Sequence, residues 1–183
     1  MWYPPKVTTG ADTIALTLAE VKAQCAILPA VVEFDAKLTA LIKAGQNHAE
    51  KYCGQWFSER TVVVRCDDFC DFSRLSVAPV RGVTAIKYFD PAGVEQTLPN
   101  TVYRPELDGM DGSIVLKPGQ VWPTKQGGTR ISMTADVGYE AAGLPDAVKH
   151  ALLLWVADSF LNRGNAEQAE WTAFDALLCN HVR

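Results

Sequence analysis

The chain is 183 residues long, with a formal net charge of −4 and an isoelectric point of about 5.4. Its 48% hydrophobic and 21% charged residues supply enough apolar side chain for a real core, which excludes intrinsic disorder. The acidic balance argues against a face that grips nucleic acid by neutralising phosphates, and no apolar run approaches the roughly eighteen residues of a membrane span, so no membrane partner is expected.

In chain order, MWYPPKVTTG lacks the positive region, apolar run and cleavage site of a secretory signal, so none is expected. Thr17-Leu18-Ala19-Glu20 fits a capping box and predicts a short helix to about Ala26. Pro29 interrupts it. A second helix then carries Phe34, Leu38, Leu41, Ile42, Gly45, Ala49 and Tyr52 at spacings of three and four, with Lys37, Lys43, Asn47 and Glu50 off that stripe and Gly54 as its C-terminal cap.

From residue 60 to residue 139 the texture becomes β. Residues 61–65, 85–89, 94–98, 113–117 and 129–137 read as strands, separated by the turn signals DPAG, DGMDG, KPG and QGG. Residues 79–99 read as a hairpin: Ile86, Tyr88 and Val94 alternate with polar or small neighbours, predicting one covered face. Asp90, Pro91, Ala92 and Gly93 form its turn.

Helix returns after Pro145, and residues 151–157 contain no polar side chain. Such a helix must be covered on every side, either at the centre of a bundle or at a subunit interface, where Leu152, Trp155 and Val156 are the candidate contacts. A last helix, residues 166–179, offers Trp171, Phe174, Leu177 and Leu178 and is followed by Asn180, His181, Val182 and Arg183. The expected class is α+β. A small helical bundle comes from residues 1–58 and 141–183, with an antiparallel β segment, residues 59–140, inserted between them in a single domain over 1–183.

No catalytic template is present, so no enzyme activity, metal or cofactor is expected. GxSxG, HExxH and P-loop patterns are absent, and Gly127-Gly128 lacks the strand and helix of a phosphate cradle. Asp67, Asp68 and Asp71 lack the oxygen spacing of a calcium loop and read as a solvated loop; Asp108 to Gly112 reads as paired turns. The five cysteines, Cys25, Cys53, Cys66, Cys70 and Cys179, are odd in number and scattered, which fits free thiols made in the cytoplasm. Cys66 and Cys70 are spaced CxxxC with no second pair, so zinc is not expected. His48 falls off the apolar stripe and is expected in solvent, and His150 at a surface or interface. Trp122 is expected as a packing anchor. A β-rich module binding a carbohydrate or peptide through Trp122 and Tyr103 is the alternative function, and an enzyme around the Asp67, Asp68 and Asp71 group a weaker one.

Several segments occur together in one order: LTLAEVK at 16–22, AEKYCG at 49–54, PVRGV at 79–83, IKYFD at 86–90, GVEQTL at 93–98, Trp122-Pro123, Gly138-Tyr139, PDAVK at 145–149 and Asn162-Arg163. In this series the chain resembles the head-tail connector, or adaptor, proteins of tailed DNA bacteriophages and gene-transfer agents. It differs at Pro29-Ala30-Val31-Val32, apolar where the family has an acidic connection, and at Gly164, which replaces an acidic residue. The resemblance implies a structural protein of the virion, assembled in the host cytoplasm as a homo-oligomeric ring, typically dodecameric. That ring lies beneath the portal, carries a tail-side connector or stopper protein, and lets DNA pass without specific binding. It further implies a portal contact at Asn180 to Arg183 and a neighbour or tail-side contact at Asp90 to Gly93.

Overall fold

The computed structural model describes residues 1–10, 15–107, 109–140, 143–162 and 172–183. In chain order the elements are β1 (Lys6–Thr9), α1 (Leu18–Gln24), α2 (Asp35–Cys53), β2 (Arg60–Cys66), β3 (Val80–Phe89) and β4 (Glu95–Thr97). They continue with β5 (Tyr103–Glu106), β6 (Ser113–Leu116), β7 (Ile131–Val137), α3 (Asp146–Leu161) and α4 (Ala173–Leu178). The fold is α+β, and the elements gather into two compact units: Met1–Ala11 with Glu59–Gly138, and Asp12–Ser58 with Tyr139–Arg183.

In the strand-rich unit the main sheet is antiparallel, in the order β1-β2-β7-β3-β4. β7 is its centre, with Val62 opposite Ala135, Val64 opposite Met133 and Ile86 opposite Met133. These side chains are all buried, so alternation has put one face of three strands into a core. Two strands were not expected from the sequence. β1 is short and mostly exposed at an edge, and β5 contains Pro105, which ordinarily argues against a strand but is tolerated in the two-stranded β5-β6 sheet.

In the helical unit, Thr17 caps α1 as expected: its Oγ1 accepts from the Glu20 N–H at 3.3 Å, and Glu20 Oε2 accepts from the Thr17 N–H at 2.8 Å. α1 ends in a Schellman motif, with the Ala26 N–H on the Ala23 carbonyl at 3.2 Å and the Ile27 N–H on the Lys22 carbonyl at 2.9 Å. The αL position is held by Ala26 at φ +55°, where glycine is the usual residue. α2 buries Leu38, Ile42, Gly45 and Ala49 of the predicted stripe, and Cys53 outside it, while Tyr52 of the stripe is exposed; the helix ends at Gly54, φ +67°. With Val148, Leu152 and Val156 of α3 and Phe174 and Leu178 of α4, Leu38, Ile42, Ala49 and Cys53 form the core of this unit.

Glu50 departs from its expected place on the polar face. Gln46 Nε2 donates to Glu50 Oε1 at 2.9 Å and to Ser58 Oγ at 2.8 Å. Glu50 Oε1 also accepts from the Phe57 N–H at 3.0 Å, and Gln46 Oε1 from the Ala15 N–H at 2.8 Å. The two side chains are buried because the chain flanking α2 needs acceptors for its N–H groups, a demand invisible to helical periodicity.

Candidate assembly surfaces

The turn between β3 and β4 is built around one carboxylate. Asp90 Oδ1 accepts from the N–H groups of Ala92 at 2.9 Å and Val94 at 3.0 Å, and Oδ2 accepts from Gln96 Nε2 at 2.9 Å. The Gln96 bond, then the Val94 N–H, hold the Asp90 carboxyl below its ordinary pKa, so it stays ionised and the turn stays shut. Gly93 takes φ +81° and its N–H closes onto the Asp90 carbonyl at 2.9 Å. Ile86 is buried and Tyr88 half-buried, but Val94 is 54% exposed, so the covered face does not extend to the tip. All three residues of β4 are exposed because nothing pairs beyond it at the sheet edge.

α3 is enclosed by its own unit on one side, while Leu153, Leu154 and Trp155 are only half-buried. Leu152 and Val156 are 1% and 0% exposed within the unit's own core, which corrects their assignment as subunit contacts: a side chain enclosed by its own chain has no surface left for a neighbour. Trp155 is half-buried and packs on Gly45, where a Cβ would lie 2.6 Å from the indole Cε3. His48 is exposed as expected, but it is not simply solvated. Its ring stacks with Phe174 at 5.5 Å and Trp155 at 6.4 Å, joining α2 to α3 and α4. Lys149 Nζ, 3.0 Å from Glu20 Oε1, ties α3 to α1.

The C-terminal residues do not hang free. Residues 179–181 form a 3-10 turn, the Arg183 N–H donates to the Cys53 carbonyl at 3.0 Å, and Gln55 Nε2 donates to the His181 carbonyl. The Cys53 carbonyl at the end of α2 and the Gln55 side chain just beyond it thus hold the tail, while Asn180 and Val182 stay exposed. The expected start of the last helix at Ala166, with Trp171, Arg163 and Gly164, lies outside the described residues, as does Asp108.

The Asp67, Asp68 and Asp71 group is a capping device. Asp68 Oδ1 accepts from the Phe69 N–H, and Asp71 Oδ2 accepts from the Asp67 and Asp68 N–H groups, each at 3.2 Å, fixing a 3-10 turn at Phe69–Ser73. That turn presents Phe69, whose ring lies parallel to Trp122 with centroids 4.9 Å apart; Phe72 meets the same indole edge-on at 5.8 Å. Tyr103 is 4% exposed, and burial raises its phenol pKa. Neither aromatic is laid open as a ligand platform. Burial likewise pushes the Cys66 thiol up to about 12 and Cys53 up to about 11, so both are inert at neutral pH. Among the described residues, no three His, Cys, Asp or Glu side chains converge as metal ligands, and no helix is long and apolar enough to cross a membrane.

The fold has solved counterparts. A chain in the neck of the empty GTA particle, computed with C6 symmetry, superposes with a TM-score of 0.81 at 23% identity, covering 98% of this chain and 95% of that one. A chain of the virion of the native gene transfer agent (GTA) particle gives 0.78 at 22%, covering 100% and 95%. A chain in the neck of the native GTA particle, computed with C12 symmetry, gives 0.77 at 22%, covering 98% and 95%. No family model and no curated protein matches the sequence. The fold of this chain is therefore one also found in chains of GTA particles.

Proposed function

We propose that this protein is a structural head-tail connector of a phage-like or gene-transfer-agent particle, a homo-oligomeric ring beneath the portal through which DNA passes into the tail. The observation that carries the reading is the end-to-end likeness to chains of GTA necks, at TM-scores of 0.77 to 0.81. The C6 and C12 symmetry of those necks supports a cyclic assembly, with twelve copies the natural number. The α+β architecture, expected from the helix and strand patterns of the sequence, agrees with it.

Within this reading, residues 1–183 act as one connector domain. Asn180, His181, Val182 and Arg183 make the portal contact: Asn180 and Val182 are exposed, and a guanidinium at Arg183 suits a carboxylate partner. The stiff turn Asp90, Pro91, Ala92 and Gly93 meets a neighbouring subunit or the tail-side protein. The chemistry is mechanical, with no catalytic step. The carbohydrate- or peptide-binding alternative loses its support, since Tyr103 is buried and one face of Trp122 is taken by Phe69.

Truncation after Leu178 tests the portal assignment. The shortened chain loses the Arg183 bond to the Cys53 carbonyl and the His181 bond to Gln55, a cost of roughly 1–2 kcal/mol, and is expected to remain folded by circular dichroism while no longer co-purifying with portal protein. Undiminished co-purification places the contact elsewhere.

A further inference from the structure

Between α1 and α2 the chain runs Leu28-Pro29-Ala30-Val31-Val32 without one polar side chain, and Leu28 and Val32 are 72% and 70% exposed. Runs of exposed apolar residues are errors in a surface loop unless they serve a function. This loop is held in place with some effort. It leaves α1 through Ala26 at φ +55°, a conformation costly for a residue with a Cβ. Beneath it lies Lys22, 6% exposed, a residue type that is buried only when partnered. Its Nζ is 2.6 Å from Asp35 Oδ1 and 3.3 Å from the Pro29 carbonyl, so one ammonium staples the middle of the loop to the start of α2. The Val31 N–H on the Leu28 carbonyl at 3.0 Å and the Asp35 N–H on the Val32 carbonyl at 3.1 Å fix the remaining bends. Strain at Ala26, a buried cation and two turns all serve to present apolar side chains outward, which is the form of a preorganised docking surface.

We propose that residues 28–32 dock onto a second copy of this chain, so that the loop is one half of the contact repeated around the ring. The inference rests on the cyclic assembly proposed above and names the surface that closes it. A cyclic contact joins two unlike patches, each copy supplying both, and the same apolar loop is then covered in every subunit at once. The strand-rich unit supplies the complementary chemistry in Phe89, Val94 and Val121, which are 37%, 54% and 78% exposed. A loop without charge offers nothing to phosphate or to a salt-bridging partner, which sets DNA aside as its occupant.

The experiment compares the full chain with Leu28→Asp/Val32→Asp by mass photometry and sedimentation across a concentration series, with circular dichroism as a folding control. Both side chains lie in solvent, so the helical signal is expected to stay unchanged. The wild type is expected to form a closed ring, and the double variant to remain monomeric at concentrations at least tenfold above the wild-type midpoint. A folded variant that assembles like the wild type overturns this proposal and leaves the connector reading intact. A wild type that stays monomeric at every concentration tells against the ring itself and overturns both. A ring that still forms in the variant while portal binding is lost overturns the choice of a second copy as occupant. As a second measurement, an environment-sensitive dye on Val32→Cys, in a Cys70→Ser/Cys179→Ser background, is expected to shift to the blue on assembly; an unchanged spectrum in an assembled ring overturns the proposal whatever the aspartate variant does.

Discussion

At the scale of single residues, much of this structure turns on close approach. Gly45 lets the Trp155 indole lie directly on the backbone of α2, and a methyl group there meets the rigid ring 2.6 Å away. Gly45→Ala is therefore expected to lower stability by roughly 1–3 kcal/mol in urea denaturation, despite alanine's better helix propensity. In the Trp155→Phe background the same change is expected to cost less; equal costs in the two backgrounds would show that the contact is not responsible. Gly45 is recognisable in the sequence as a member of the apolar stripe, but its role is not, because the residue that needs the space is 110 positions away. Glu20 is similar. Its capping role can be read from the TLAE pattern, and the Lys149 partner cannot. The Thr17 hydroxyl and N–H, with a smaller contribution from Lys149 against some desolvation, lower its pKa from 4.5 to about 2. A carboxyl depressed in the folded state stabilises above its unfolded pKa and loses that contribution as pH falls. The stability difference between wild type and Glu20→Gln is thus expected to hold at pH 5 to 7 and to shrink between pH 4.5 and pH 2. A difference independent of pH across that window would contradict the assignment.

At the scale of elements, periodicity and punctuation were reliable wherever burial was one-sided. α1, α2 and α3, and the strands that pair with β7, lie where capping residues, alternation and turn dipeptides put them. β1 and β5 escaped because an exposed four-residue edge has no apolar pattern and Pro105 masks the other. The fate of α3 was left open by the sequence: an all-apolar surface states that a helix is covered, not by what. Its own unit covers Leu152 and Val156, so aspartate at Leu152 is expected to unfold the helical unit rather than merely part subunits. The loss should exceed the roughly 2–5 kcal/mol of a leucine-to-alanine truncation, since a carboxylate is also buried without a partner. Soluble, helical monomers of Leu152→Asp would contradict this; aggregation or loss of the helical signal is the expected result.

At the scale of the whole molecule, the proposed conduit sets a requirement that is opposite to that of a DNA-binding protein. Double-stranded DNA moving through a ring carries about one negative charge per 1.7 Å of its axis, and a lining that neutralised those phosphates would release counterions and hold the duplex in place. In the proposed ring, a net charge of −4 on each subunit would oppose retention of the duplex. Several basic groups are already engaged within the chain: Lys22 with Asp35, Arg81 with Glu59, Lys87 with Glu95 and Lys149 with Glu20. The assembled protein is accordingly expected to bind duplex DNA weakly and without sequence preference, with any residual affinity at 50 mM salt lost by 200 mM, as measured by fluorescence anisotropy of a labelled duplex. Tight binding that persists at physiological salt would require a concentrated basic lining in the ring, and would contradict a conduit from which DNA must be free to leave.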